Sequence, residues 1–135
     1  MTYQVLELLQ PDGASPYAHW FDTLVPDVAA KITTAKLRMQ LGNFSNVEWF
    51  RGIGEYKIDF GAGWRIYLAK DGLQVIILLG GGSKKTQQRD IDTALALWAD
   101  YKRRKSALLA ASVLTPKRVK PVKDKKLYQR KITCL

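Results

Sequence analysis

The chain has one cysteine, Cys134, next to its last residue, so no internal disulfide can form and no cysteine cluster is available to a metal. A reducing compartment suits that composition. Histidine is equally scarce: His19 stands alone, which removes the HExxH and Cys/His spacings of zinc sites and leaves no Ser-His-Asp set. No apolar run approaches the roughly 20 residues of a membrane span. The opening MTYQVLELLQPDG has neither the basic start nor the long apolar core of a signal peptide, so a cytoplasmic protein with no membrane partner is expected. Acidic residues also run out: after residue 102 only Asp124 remains.

What is present is enough for one domain. The 135 residues are 47% hydrophobic, in keeping with a buried core. A net charge of +10 would suggest a nucleic-acid partner if it were spread over the chain. It is not spread: residues 1–102 hold 11 Lys+Arg against 11 Asp+Glu, whereas residues 103–135 hold 11 against one. The folded part must therefore act on any anion through a few well-placed cations. We expect a domain over residues 1–105 and a basic, flexible tail over 106–135, where the prolines and lysines of PKRVKPVKDKKLYQRK argue against packing.

YQVLELLQ, bounded by the turn PDG, reads as a first strand. Ser15 and Pro16 then form an N-cap and first-turn pair for a short helix, and Pro26 starts a second, in which Val28, Ile32, Ala35 and Met39 make one apolar stripe. Together they are expected to form an N-terminal helical hairpin. EYKIDF, WRIYLAK and LQVIILL follow as three strands joined by the tight turns GAG and DG. In the middle strand Arg65 and Tyr67 face one way, and Trp64, Ile66 and Leu68 the other. QQRDIDTALALWADYKRRK reads as a C-terminal helix, while SALLAASVLT fits either a short helix or an unstructured segment. The fold class expected is α+β, with a mainly antiparallel four-stranded sheet, the helical hairpin on one face and a C-terminal helix.

The stretch GGGSKKTQQRD reads as a glycine turn running into two lysines, which raises the possibility of a phosphate-binding loop. Neither lysine is preceded by the glycine that a P-loop requires, so a nucleotide-hydrolysing loop is not expected. Lys57, Arg65, Lys84 and Lys85 are instead expected near one another, because adjacent antiparallel strands bring such positions within reach. Beside Tyr67 and the GAG turn they suit a phosphodiester and the charge developing on it. Lysines and arginines on a sheet face equally serve solubility. Glu55 and Asp59 are expected to lie on the face opposite Lys57, with ion pairing as their role. Asp90 and Asp92 open the last helix, where acids favour the helix dipole. His19, between aromatics, is expected to be a partly buried structural residue, and the four tryptophans mostly core, with Trp49 the candidate for exposure.

Two blocks of the sequence carry a resemblance. Glu55, Tyr56, Lys57, Ile58, Gly61, Gly63, Trp64, Arg65, Ile66 and Tyr67, and then Gly81, Gly82, Ser83, Lys84, Thr86, Gln87, Asp90 and Ile91, resemble in order the pattern of the Gp49-like, HigB-type branch of the RelE/ParE toxin superfamily. The resemblance covers roughly Trp20 to Arg104. It implies the toxin of a type II toxin–antitoxin system, in most cousins a ribosome-dependent endoribonuclease that cuts messenger RNA and so inhibits translation. In that chemistry the ribose 2′-OH attacks its own phosphodiester, with no cofactor or metal required. The partners implied are messenger RNA on the ribosome and a cognate antitoxin of helix-turn-helix type.

By the same resemblance Arg65 and Lys84 fall on phosphate-binding positions and Lys57 on a catalytic basic position. Lys85, Arg51, Trp64 and Gln87 are the candidates for holding the substrate strand. The chain departs from the pattern at Asp59, where the toxins often carry a second lysine, and at Asp90, near a position often held by tyrosine. Ser83 replaces an aspartate, and Lys85 adds a cation. Tyr67 and Glu55 are the stand-ins for proton transfer. A ParE-like gyrase poison and a catalytically silent RNA-binding relative are the alternative readings.

Overall fold

A computed structural model of the chain describes residues 1–114. The flexible tail expected from the sequence lies, beyond that point, outside the described residues. Five strands, Gln4–Glu7 (β1), Val47–Phe50 (β2), Ile53–Ile58 (β3), Trp64–Lys70 (β4) and Val75–Ser83 (β5), form one sheet in the order β1-β5-β4-β3-β2. β1 runs parallel to β5, and the other neighbours are antiparallel. Helices Pro16–Phe21 (α1) and Pro26–Gln40 (α2) follow β1, and Gln87–Leu114 (α3) follows β5 through a 3-10 turn at Lys84–Thr86.

The α+β class is the one expected, but the sheet has five strands rather than four. The strand missed is β2, only four residues long and at the sheet edge. It reaches β3 through Arg51–Gly52, both at positive φ (52° and 87°), the geometry of a two-residue hairpin turn without the Asn-Gly signal that usually marks one. The parallel β1–β5 pair joins segments about 70 residues apart, from Gln4 on Val75 to Glu7 on Leu78, so no local period announces it.

The helical hairpin is also corrected. α1 lies against β5 and α2 against β1 and β3, each held to the sheet rather than to the other. Ser15 caps α1 as expected, accepting from the Ala18 N–H at 3.0 Å, and its hydroxyl donates to Glu7 Oε1 at 2.6 Å. The α2 stripe Val28, Ile32, Ala35 and Met39 is wholly buried. With Tyr17 it meets Val5, Tyr56, Ile66, Leu68, Ile76 and Leu78 on one face of the sheet. The other face carries Leu6, Leu8, Ile53, Tyr67, Ala69, Ile77 and Leu79 beneath Ala94, Trp98 and Tyr101 of α3. β5 is apolar on both sides because it lies inside both cores, each buried Ile or Leu contributing roughly 1.5–3 kcal/mol.

The glycine stretch is not a turn. Gly80, Gly81 and Gly82 belong to β5, where a bulge between the pairs Tyr67/Gly80 and Leu68/Leu78 resets the alternation of faces. A Cβ at Gly81 would overlap the indole of Trp20, and one at Gly82 would overlap the carboxylate of Asp90. The glycines let α1 and α3 close on opposite sides of one strand.

α3 is longer than expected, running through the Ala- and Leu-rich residues 106–114 as a helix. Its middle is latched to the sheet: Tyr101 Oη and Lys105 Nζ donate to the two carboxylate oxygens of Asp71 at 2.6 Å each, and Arg104 Nη2 donates to the Leu9 carbonyl at 3.0 Å. Past this latch Leu108 and Leu109 are exposed. Among the described residues no helix is long and apolar enough to cross a membrane.

Candidate functional site

Strand register assembles a polar group on the α3 side of the sheet. Glu48, Glu55, Tyr67 and Gly80 lie in one row across β2, β3, β4 and β5, and Lys57, Arg65 and Gly82 lie in the next. Residues two apart on a strand share a face, so Glu55 and Lys57 point the same way, with Lys57 Nζ 4.0 Å from Glu55 Oε1. The expectation that they face opposite ways is thereby corrected. α3 packs over β4 and β5 and covers Tyr67, while the β2–β3 margin stays open.

Glu55 is the hub of this group. It is only 2% exposed, and its Oε2 accepts from Tyr67 Oη at 3.1 Å and from Gln87 Nε2 at 2.9 Å, with Arg65 Nε 3.5 Å away. A carboxylate taken this far out of water needs such donors and a countercharge. Burial first, and then the Glu55 and Asp90 carboxylates, push the Tyr67 phenol well above its ordinary range, with Arg65 opposing. Tyr67 therefore keeps its proton and donates a hydrogen bond to Glu55.

Arg65 is 11% exposed in its side chain, not solvent-facing as a cation on a bare sheet would be. Its Nη1 donates to the Gly63 carbonyl at 2.9 Å, and its buried Nε has no hydrogen-bond partner. The same Gly63 carbonyl accepts the Lys84 N–H at 2.8 Å. Gly63, at φ 74°, holds a left-handed backbone conformation that favours glycine, with Arg65 Nη1 and the Lys84 Cβ beside it. Arg65 Nη1 and the main-chain N–H of the exposed Lys84 thus share one carbonyl at the GAG turn. Lys57, half exposed, pairs with Glu48 Oε1 at 2.9 Å. Lys85 is exposed on the 3-10 turn, and Thr86 Oγ1 donates to Asp90 Oδ2 at 2.5 Å at the start of α3.

Of the candidate residues, the structure brings together Glu55, Lys57, Arg65, Tyr67, Lys84 and Gln87, with Lys85 next to Lys84. Arg51 is set apart, in the β2–β3 turn at the other end of β3 from Lys57. Trp64 is set apart too: its ring packs into the core on the opposite face, because it precedes Arg65 by one residue on the same strand. His19 is exposed rather than partly buried, on the outer side of α1, and Trp49 is exposed as expected, with Lys70 over its ring. Sequence reasoning missed Glu48, the partner of Lys57. The alternation Val47, Glu48, Trp49 was the available signal, and recognising β2 would have set Glu48 opposite Glu55. Among the described residues no group of three or more His, Cys, Asp or Glu side chains converges to hold a metal.

Fold and site together define a small α+β protein with a mixed five-stranded sheet and two cations, Arg65 and Lys57, beside a buried carboxylate. No family model and no solved structure matches the chain. The chain is 44% identical over 69 residues to an uncharacterized protein of Haemophilus influenzae, the match covering 50% of this chain and 70% of that protein. It belongs to the same family as that protein.

Proposed function

We propose that the protein is the toxin of a type II toxin–antitoxin pair, a Gp49-like, HigB-type member of the RelE/ParE superfamily, acting as a ribosome-dependent messenger RNA endoribonuclease. The observation that carries the reading is that Arg65 Nη1 and the Lys84 main-chain N–H share the Gly63 carbonyl, which sets the two residues side by side, with Lys57 opposite Arg65 on the neighbouring strand. A guanidinium that keeps part of its side chain at the surface, beside two exposed amines, suits a phosphodiester. The resemblance of the two sequence blocks supports the same reading.

In the proposed reaction the 2′-oxygen of one nucleotide bonds to the adjacent phosphorus as the bond to the 5′-oxygen of the next nucleotide breaks. The products are a 2′,3′-cyclic phosphate and a 5′-hydroxyl. Arg65 and Lys84 stabilise the dianionic phosphorane. Tyr67 and Glu55 are buried and committed to each other, so the proton lost by the 2′-OH and the proton gained by the 5′-oxygen pass through the exposed side, where Lys57 and Lys84 stand. Glu55 acts as a positioning residue, holding Gln87 and the Arg65 guanidinium. An acidic antitoxin covering this cation group completes the proposal.

The burial of Tyr67 and Glu55 also favours a second reading, a relative that binds RNA without cutting it. Mapping messenger RNA ends on purified translating ribosomes, with and without the protein, separates the two. Discrete cuts within codons are expected. Ribosome binding without new ends selects the silent reading, and accumulation of gyrase–DNA cleavage complexes in a parallel assay replaces both with a gyrase poison.

A further inference from the structure

The open β2–β3 margin forms a depression of about 430 Å³ lined by Ser45, Asn46, Val47, Glu48, Lys57 and Asp59. It is an open surface depression rather than an enclosed cavity. It adjoins the cation group directly, because Lys57 lines it and is the cross-strand partner of Arg65. The two halves differ in sign. Arg65, Lys84 and Lys85 lie on one side of Lys57, whereas the depression contributes the carboxylates of Glu48 and Asp59 and the amide of Asn46.

The hydrogen-bonding inventory is mostly acceptors. Glu48 meets Lys57 through Oε1, leaving its second oxygen as an acceptor, and both carboxylates are acceptors only. The Ser45 hydroxyl is already turned to Asn43 Oδ1 at 2.8 Å. A pure phosphate site would not be lined with carboxylates. A group that is anionic at one end and rich in N–H donors at the other fits both halves.

We propose that this depression is a base-recognition subsite for a nucleobase with an exocyclic amino group, guanine above all, next to a phosphate held at Arg65 and Lys84. The inference rests on the reading of the cation group as a phosphodiester site. Guanine presents N1–H and N2–H side by side, which one carboxylate accepts bidentately. Uracil presents two carbonyl oxygens and one N–H along the same edge and leaves a carboxylate facing an acceptor. Single-stranded RNA exposes these edges, so a protein without access to a duplex groove can read them. Asp59, which departs from the lysine often found in the resembling toxins, has a role here as an acceptor.

The test compares binding of two fluorescent single-stranded pentamers, UUGUU and UUUUU, to the full chain and to a Glu48→Gln/Asp59→Asn double variant. The wild-type chain should prefer UUGUU by about fivefold to a hundredfold, the range of a good bidentate base contact. The variant should bind both pentamers alike while keeping or raising its affinity for UUUUU, because Arg65 and Lys84 are untouched and Lys57 is released from Glu48. Equal wild-type binding of the two, a preference that survives in the variant, or no binding of either at millimolar concentration overturns the subsite. Ribosome cleavage mapped in parallel keeps the two readings apart. A guanine preference without cuts retains the subsite and removes the nuclease, and cuts without a guanine preference do the reverse.

Discussion

Glu55 and Arg65 form an ion pair in which the carboxylate is buried and the guanidinium nearly so. Replacing Arg65 with alanine removes both the proposed phosphate ligand and the nearer of the two cations beside Glu55. Arg65→Lys is the cleaner change, since it keeps a cation beside Glu55 and loses the planar donor fork. Cleavage by Arg65→Lys should fall on the order of a hundredfold, the typical loss for one charge-stabilising donor, in a protein of unchanged circular dichroism. Wild-type cleavage by that folded variant would remove Arg65 from the site. Tyr67→Phe deletes a donor to a buried charge and should cost about 1.5–3 kcal/mol in urea unfolding.

Tyrosine burial also sets a pH dependence. The Tyr17 phenol is pushed up by burial and then by Glu7, as Tyr67 is by burial and then by Glu55. A pKa raised in the folded state contributes stability that is fully present below the unfolded value of about 10 and is lost as pH rises beyond it. Melting temperature should therefore be insensitive to these groups up to about pH 10 and fall above it, less steeply in Tyr67→Phe than in the wild type. Thermal melts across an alkaline series check both the onset and the difference.

At the scale of elements, β5 is the strand on which everything converges, and its glycines are the points of closest approach. Gly81→Ala drives a methyl into the Trp20 ring, and Gly82→Ala drives one into Asp90, so each should lose about 1–3 kcal/mol by overpacking. The two differ in consequence. Gly82→Ala displaces the start of α3, where Gln87 binds Glu55, and should reduce cleavage as well as stability, whereas Gly81→Ala should reduce stability alone. Urea unfolding and ribosome cleavage of the two variants, measured side by side, check this; equal loss of cleavage in both would show that the α3 start has no special tie to the site.

At the scale of the whole molecule, charge and fold separate. Residues 1–102 are balanced, and the excess of ten positive charges follows them. The side-chain hydrogen bonds from α3 to Asp71 and Leu9 come from Tyr101, Arg104 and Lys105, so a chain ending at Lys105 retains all three and should keep its melting temperature. Its RNA binding should weaken mainly at low salt, and the slope of log affinity against log salt should shrink by roughly 0.7 for each single-strand phosphate that the shortened chain no longer neutralises. Titration of full-length and shortened protein across a salt series checks this, and equal slopes would leave residues 106–135 no electrostatic part in binding.

Local pattern alone determined the elements whose signal lies within a few residues. The β4 strand Trp64–Lys70, the Ser15 cap with Pro16, and the buried stripe Val28, Ile32, Ala35 and Met39 are all legible because alternation, capping and helical period act over one to four positions. The cations of the site were legible as residues, and Arg65 as sharing a face with Tyr67. Which of them are exposed, and what they meet, was decided elsewhere. Glu55 is bound by a glutamine 32 residues away, Arg104 by a carbonyl 95 residues away, and β1 by a strand about 70 residues on. The glycines of β5 read as a turn until Trp20 and Asp90 are seen against them. Burial and close approach are properties of pairs of distant segments, and only the tertiary structure brings those pairs together.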